Sequence, residues 1–236
     1  MKISPELCVN CGVCLIYCPL GAIHKNDVSE IDQDVCVECG CCKRADVCPT
    51  DAFIYEAHPW PRSVRGAFSN PLIEHKETRV PGRGTEEMKT NDVRGLYGRG
   101  IIGVGAEIGR PGISCNFHDV EKVATALAKA GLTFAEGNPV TANMVDKSTG
   151  KINPEILDER VMSAIIEGII PISRLADVIQ AAKKAATQID TVFSLEFIDR
   201  PEADRSVPME KILKEQGVAF YPNGKFNLGL GRPLAL

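Results

Sequence analysis

The C-terminal two-thirds of the chain has the clearest alternation of apolar and polar positions. Ile102, Val104, Ala106 and Ile108 recur every second residue, the period of a strand. Gly103 and Gly105 fall on the opposite face, where paired glycines signal close approach of another backbone or a ligand. Phe117, Val120, Val123, Ala124, Leu127 and Ala128 then form one helical stripe. Asp119 and Glu121 favour its start, and Gly131 suits its C′ position. Residues 132–135 return as a strand, and 137–144 read as a turn with a short strand. Pro154, after Asn153, opens a second helix. Ser173 caps a third, with Leu175, Val178, Ile179, Ala182 and Ala186 on its buried side. Residues 191–198 form a strand with Phe193, Leu195 and Phe197 on one face, and 208–216 form a last helix. Residues 218–221 and 225–228 pair as a hairpin around Pro222-Asn223-Gly224. Alternating strands and helices predict a sheet with packed helices, an α/β sandwich of which a split βαβ unit is the simplest form. The apolar stripes read as core rather than as a cofactor site.

The pattern breaks between residues 58 and 112. This stretch holds ten of the glycines, five prolines and seven arginines, and its first forty residues show no helical or strand period. It contains the one tryptophan, in His58-Pro59-Trp60-Pro61-Arg62. Three readings stay open. It could be a strap wrapping a neighbouring unit or a partner. Arg79, Arg83, Arg94, Arg99 and Arg110, set among glycines, could approach a carboxylate or phosphate. It could also be simple disorder. The glycines in 100–112 lack the spacing and the strand–helix placement of a dinucleotide fingerprint.

The N-terminal segment is governed by cysteine. Nine of the ten cysteines lie within the first 48 residues. One run is Cys8-x2-Cys11-x2-Cys14-x3-Cys18-Pro19, the other Cys36-x2-Cys39-x2-Cys42-x5-Cys48-Pro49. Zinc sites pair their ligands two and two, and disulfide frameworks belong to exported chains, whereas no apolar export segment follows Met1. Triplets followed by Cys-Pro match the ligand spacing of 4Fe–4S centres, four thiolates each. Residues 18–23 echo 48–53 as an internal repeat. Cys41 aligns with Val13 and reads as a packing residue rather than a ligand.

Residues 1–56 resemble the bacterial-type two-cluster ferredoxin family. That resemblance implies crosswise ligation: one 4Fe–4S cluster on Cys8, Cys11, Cys14 and Cys48, the other on Cys36, Cys39, Cys42 and Cys18. It also implies a short helix after each triplet and a small hairpin over each cluster, with Val35, Val37, Ile23 and Ile54 shielding the sulfurs. The second run departs from the simplest family pattern, with five residues rather than three before its last cysteine, so residues 43–47 must bulge near the cluster bound by Cys48. Residues 102–141, and Asn223-Gly224-Lys225 through Gly229-Leu230-Gly231-Arg232-Pro233, resemble ferredoxin-fused proteins of anaerobes. Some of these are similar to the iron–sulfur portion of 6-hydroxynicotinate reductase, others to archaeal ferredoxin-like proteins tied to sulfur assimilation.

The expected architecture is therefore α+β. A two-cluster ferredoxin unit spans residues 1–57, a Gly/Pro/Arg-rich connecting strap 58–99, and an α/β docking or substrate domain 100–236. At 236 residues and 44% hydrophobic content the chain is long enough for a second core. No apolar run is long enough for a membrane span. The formal charge is −4, and two oxidised clusters with their thiolates bring it to about −8. That disfavours nucleic acid and anionic membranes as partners and suits a basic patch on a redox enzyme. Oxygen-sensitive clusters imply a reducing cytoplasm.

The leading functional expectation is an electron-transfer subunit of an oxidoreductase complex, serving redox enzyme subunits that could carry flavin. The alternative is an enzyme component that binds a small anionic substrate through the Arg/Gly segment, with Cys115 as thiol for reduction or sulfur transfer. A third is structural: clusters that only hold the small N-terminal fold and shape a partner surface. Cys115 is otherwise a small buried hydrophobe. His24, His58, His75 and His118 have no metal-site spacing, and no catalytic motif occurs.

Overall fold

In the computed structural model of the protein, residues 1–76, 79, 95–109 and 114–220 are described. The N-terminal unit contains β1 (Lys2–Ile3), β2 (Ile23–Lys25), β3 (Ser29–Ile31), α1 (Cys41–Arg44) and β4 (Phe53–Ile54). β1 pairs antiparallel with β4, and β2 with β3. A single turn of 3-10 helix, Val13–Tyr17, stands in the first repeat where α1 stands in the second. Met1, Cys14, Ile23 and Phe53 form a small core, against which seven more residues of the two cysteine runs and strands pack.

The connecting segment holds a helix that its glycine-rich composition hides: α2 (Ser63–Ser69). The sheet unit follows, with β5 (Ile101–Ile108), β6 (Cys115–Asn116), α3 (Phe117–Lys129), β7 (Thr133–Phe134), α4 (Pro139–Ala142), β8 (Met144–Asp146), β9 (Lys151–Ile152), β10 (Arg160–Val161), β11 (Ala164–Pro171), α5 (Leu175–Ala186), β12 (Phe193–Ile198) and α6 (Met209–Glu215). Its main sheet runs β12-β5-β11-β7, all neighbours antiparallel. The path β5-α3-β7-β11-α5-β12 is a split βαβ arrangement. Ile102, Val104, Ala106 and Ile108 are fully buried and join Val120, Val123, Leu127, Val178 and Ile179 of α3 and α5 in one core. Gly103 is in the close approach its position suggests: a Cβ there would meet the Tyr97 ring at 2.6 Å.

Several local expectations change. The helix expected after Pro154 is one 3-10 turn, Pro154–Ile156. The chain is then turned back toward α3, where the Leu157 and Glu159 carbonyls accept from the His118 and Phe117 amides. Ser173 does not cap α5; it lies in a 3-10 turn, Ile172–Arg174, that runs straight into the helix, and Ala185 rather than Ala186 completes the buried stripe. The short strand expected within 137–144 is partly α4, because the Asn138 side chain accepts from the Val140 and Thr141 amides and Pro139 sets the first helical φ. α3 is capped by Asn116, whose side chain accepts from the Asp119 amide at 2.8 Å. The expected hairpin at 218–228 lies, from residue 221 onward, outside the described residues, and residues 218–220 form no strand.

α2 joins the two units. Val64 and Phe68 are buried in the core of the sheet unit, each worth about 1.5–3 kcal/mol of apolar burial. Phe68 stands edge-on to Phe117, ring centroids 5.3 Å apart. The Ser69 hydroxyl accepts from the Met162 amide at 2.8 Å. Nearby, Trp60 Nε1 donates to Glu155 Oε2 at 2.7 Å.

Candidate metal centres

The two cysteine runs repeat in backbone as well as in sequence. Each Cys-x2-Cys holds a left-handed residue, Asn10 (φ 51°) or Glu38 (φ 56°), and each is followed by a left-handed glycine, Gly12 (φ 75°) or Gly40 (φ 68°). Glycine takes that conformation at no steric cost. Each glycine immediately precedes its short helix. The helices thus begin inside the triplets and carry the third cysteines, Cys14 and Cys42, rather than following the triplets as the resemblance implied.

Two cavities result. One, of about 340 Å³ counted out to solvent, is lined by Cys8, Cys11, Cys14 and Cys48. The other, of about 360 Å³, is lined by Cys18, Cys36, Cys39 and Cys42. The fourth cysteine of each run therefore faces the other run's triplet. Cys41 lines neither cavity. Among the described residues no three His, Cys, Asp or Glu side chains are arranged to hold a single metal ion. The eight thiols are instead shared between two wider spaces.

The longer second loop leaves in place the amide that donates to the fourth cysteine. After α1, the Asp46 amide donates to the Lys43 carbonyl at 3.1 Å, and Asp46 turns left-handed at φ 52°. Val47 then lines the first cavity. Beyond it the repeats coincide: the Ala22 amide donates to Cys18 Sγ at 3.1 Å and the Ala52 amide to Cys48 Sγ at 3.3 Å.

The apolar shield differs in part from expectation. Ile23 and Val37 line the second cavity, together with Met1, Leu20 and Ile31. Ile54 is 44% exposed and lines neither cavity, because β4 alternates and turns Phe53 inward instead. Val35 is half-buried and lines neither.

The cavities differ electrostatically. Burial pushes the Cys36, Cys39 and Cys42 thiols upward, Cys42 to about 12. Cys14 is also raised by burial. At Cys8 and Cys48 the upward push of burial is outweighed by hydrogen bonds, from the Ser29 and Asn10 amides and from the Ala52 and Thr50 amides respectively, and both fall below the ordinary thiol range. Cys11 is exposed. Ser29 is buried on the wall of the first cavity, where its hydroxyl faces the Cys8 and Cys14 thiols and works against the upward push of burial on both.

These features fit a 4Fe–4S group in each cavity: four thiols apiece, amides aimed at Cys18 and Cys48, and a buried hydroxyl that a sulfur acceptor would satisfy. Such a group supplies one-electron redox chemistry. The chain's part is to hold it, exclude water and aim donors at its sulfurs.

The second cavity is also fastened from outside. Glu38, buried between Cys36 and Cys39, accepts from Arg62 Nη2 at 2.7 Å, sits 3.2 Å from His58 Nε2 and pairs with the Met1 amine. Burial pushes the Glu38 carboxyl up, but the amine and Arg62 outweigh it and hold it below the usual range. Arg65 donates to the carbonyls of Gln33 (2.8 Å), Asp34 (3.3 Å) and Cys36 (2.9 Å), while its Nε pairs with Glu159. None of Ser29, Glu38, Arg62 and Arg65 was singled out by spacing. Arg62 and Arg65 share the i, i+3 relation of a helix face, a signal masked by the surrounding glycine and proline.

The other candidate residues stay apart from these cavities. Cys115 is buried in the sheet unit's core, its thiol directed at the Ile108 carbonyl (3.7 Å) and pushed up to about 12 by burial. His118 is exposed and 2.8 Å from Asp158. Arg79 and Arg99 pair with Glu74 (3.5 Å) and Glu202 (3.4 Å). Arg83, Arg94 and Arg110 lie outside the described residues. Strand spacing also gave no notice of Glu107 and Glu167, acids buried on the sheet face opposite α3 and α5.

Residues 1–24 match the 4Fe-4S binding domain family. The chain is 39% identical over 54 residues to "Pyruvate synthase subunit PorD" of Methanothermobacter marburgensis, covering 23% of this chain and 62% of that one. It is 52% identical over 40 residues to "Ferredoxin-1" of Rhodobacter capsulatus, covering 16% and 62%. It is 43% identical over 44 residues to "Ferredoxin 7Fe" of Hydrogenibacillus schlegelii, covering 18% and 54%. The chain thus spans less than two-thirds of the length of these relatives. No solved structure matches. The N-terminus is a 4Fe–4S ferredoxin domain, and these relatives support an iron–sulfur electron-transfer role. Among the described residues no helix is long and apolar enough to cross a membrane.

Proposed function

We propose that the protein relays low-potential electrons through two 4Fe–4S clusters to or from a partner oxidoreductase subunit. One cluster is held by Cys8, Cys11, Cys14 and Cys48, the other by Cys36, Cys39, Cys42 and Cys18. The observation that carries this reading is the division of eight thiols between two cavities, each completed by the other run's last cysteine. The residue ranges 1–57, 58–99 and 100–236 serve as cluster unit, strap and docking unit. The matched PorD is by its name a subunit of pyruvate synthase, which supports a place in a hetero-oligomer beside a redox enzyme, with flavin, if used, carried by the partner. The cytoplasm of an anaerobe suits oxygen-sensitive clusters. The sheet unit's resemblance to ferredoxin-fused proteins such as the iron–sulfur portion of 6-hydroxynicotinate reductase belongs to the same reading.

The first cavity's surroundings suit the exchange of electrons with a partner. Cys11 is exposed, and Leu7, Val9, Val13, Ile16 and Tyr17 of the same run present apolar side chains to solvent, Ile16 at 84% exposure. Contiguous exposed apolar surface marks protein interaction sites. The alternative, thiol chemistry at Cys115, is disfavoured by burial of that thiol in the core.

Anaerobic purification from the native host, with identification of co-purifying chains, tests the proposal. A stoichiometric oxidoreductase partner reduced or oxidised through this chain is expected. A protein that purifies alone and reduces a small substrate unaided would overturn it.

A further inference from the structure

Arg65 touches both halves of the molecule. On one side its guanidinium donates to the carbonyls of Gln33, Asp34 and Cys36, the segment that leads into the second cavity's triplet. On the other its Nε pairs with Glu159, on the turn before β10 of the sheet unit. Arg65 is 7% exposed, so this charge acts in a medium of lower effective dielectric than water. Among the described residues the first cavity has no such bridge to the sheet unit. There the residue equivalent to Glu38 is Asn10, whose side chain donates to the Asn26 and Asp27 carbonyls at 2.8 and 3.0 Å, within the ferredoxin unit itself. The repeat's symmetry is broken where residues 33–38 meet α2.

We propose that the Arg65–Glu159 pair is a positioning element that biases the reduction potential of the second cavity's cluster, leaves the first largely untouched, and so ties electron affinity at one end of the relay to the sheet unit. The proposal rests on the two-cluster reading. Reduction there adds one electron, and so one negative charge, beside Cys36, Cys39 and Cys42, with no bond made or broken. A guanidinium bound to the Cys36 carbonyl favours the added charge, and the Glu159 carboxylate offsets it. Removing either partner shifts the balance, and the two removals shift it in opposite directions. Loss of packing or of a hydrogen bond alone would not reverse its sign with the choice of partner.

The test uses the full-length protein loaded with iron and sulfide, titrated anaerobically with dithionite. The hyperfine-shifted cysteine β-proton resonances, assigned to each ligand set, report each cluster separately. With the potential poised at the parent protein's second-site midpoint, half of that site is reduced. Glu159→Gln should raise the reduced fraction above half and Arg65→Gln should lower it. The double substitution should return it toward half, and the first site should move less in every case. Arg65→Lys keeps the charge without the three-carbonyl fork and should stay near the parent value, which keeps the test usable if Arg65→Gln folds poorly. If both ligand sets are seen in the parent protein, and Glu159→Gln and Arg65→Gln shift the second site in the same direction or not at all, the coupling is wrong while the relay stands. If the parent shows no second set of shifted resonances, the relay reading falls and the coupling with it.

Discussion

Phe68 and Phe117 meet edge to face with ring centroids 5.3 Å apart, one on the helix that follows the ferredoxin unit and the other at the start of the sheet unit's first long helix. Both are almost wholly buried. The contact makes α2 part of the second core rather than a loose connection. Phe68→Ala should destabilise the sheet unit by about 3–5 kcal/mol, the range for emptying a buried aromatic site. Anaerobic denaturant unfolding followed by far-UV circular dichroism reads this directly; a loss below about 1 kcal/mol would show that α2 is not integral to that core.

Ser29 should act on the first cluster. Its buried hydroxyl lies on the wall beside Cys8 and Cys14, and hydrogen bonds to cluster sulfurs raise the potential. Ser29→Ala should lower the first site's midpoint and leave the second unmoved, as followed by dithionite titration. Ser29→Thr, which keeps the donor, should behave like the parent. An unchanged midpoint in the alanine variant would show that the hydroxyl points elsewhere.

Cys115 should be silent as a thiol and visible as a titrating group. Burial raises it from 9.0 to about 12. The unfolded thiol ionises first as pH rises, so the unfolded chain holds fewer protons and native stability falls between about pH 9 and 12. Below pH 9 the contribution is complete. Comparing the parent with Cys115→Ala as pH is raised over that window should show a steeper loss in the parent. Iodoacetamide should label Cys115 only on unfolding. Rapid labelling of the native chain at pH 8 would contradict its placement.

Gly103 should tolerate no side chain. A Cβ there would lie 2.6 Å from the buried Tyr97 ring. Gly103→Ala should cost about 1–3 kcal/mol through overpacking, and a companion Tyr97→Ala should recover the part due to the clash. Equal stability of Gly103→Ala and the parent, in thermal unfolding, would mean that the ring moves freely aside.

The sequence announces this protein unevenly. The cysteine spacing marks the thiols that gather at the two cavities, and the alternation of Ile102, Val104, Ala106 and Ile108 carries the central strand. The helix at 117–129 was legible for the same reason: its stripe is long and its ends are marked. The 3-10 turn at Pro154 was not, since Pro at a first helical position says nothing of length and long-range hydrogen bonds to α3 end the turn. α2 was hidden because its short apolar pattern, Val64 and Phe68, lies in glycine- and proline-rich chain and is stabilised by packing rather than by propensity. The roles of Arg65 and Glu38 depend on residues 20–94 positions away, a distance that no local pattern encodes.

Crosswise ligation is the claim on which the rest depends, and Cys18→Ser tests it most directly. The variant would be reconstituted anaerobically, its iron counted and its cysteine β-proton resonances compared with the parent's. The parent should hold about eight irons, four per cluster. In the variant, the signals of Cys36, Cys39 and Cys42 should be lost or altered while those of Cys8, Cys11, Cys14 and Cys48 persist. Loss of the Cys8, Cys11 and Cys14 signals with the second triplet intact would show that each run closes on itself and would contradict the account.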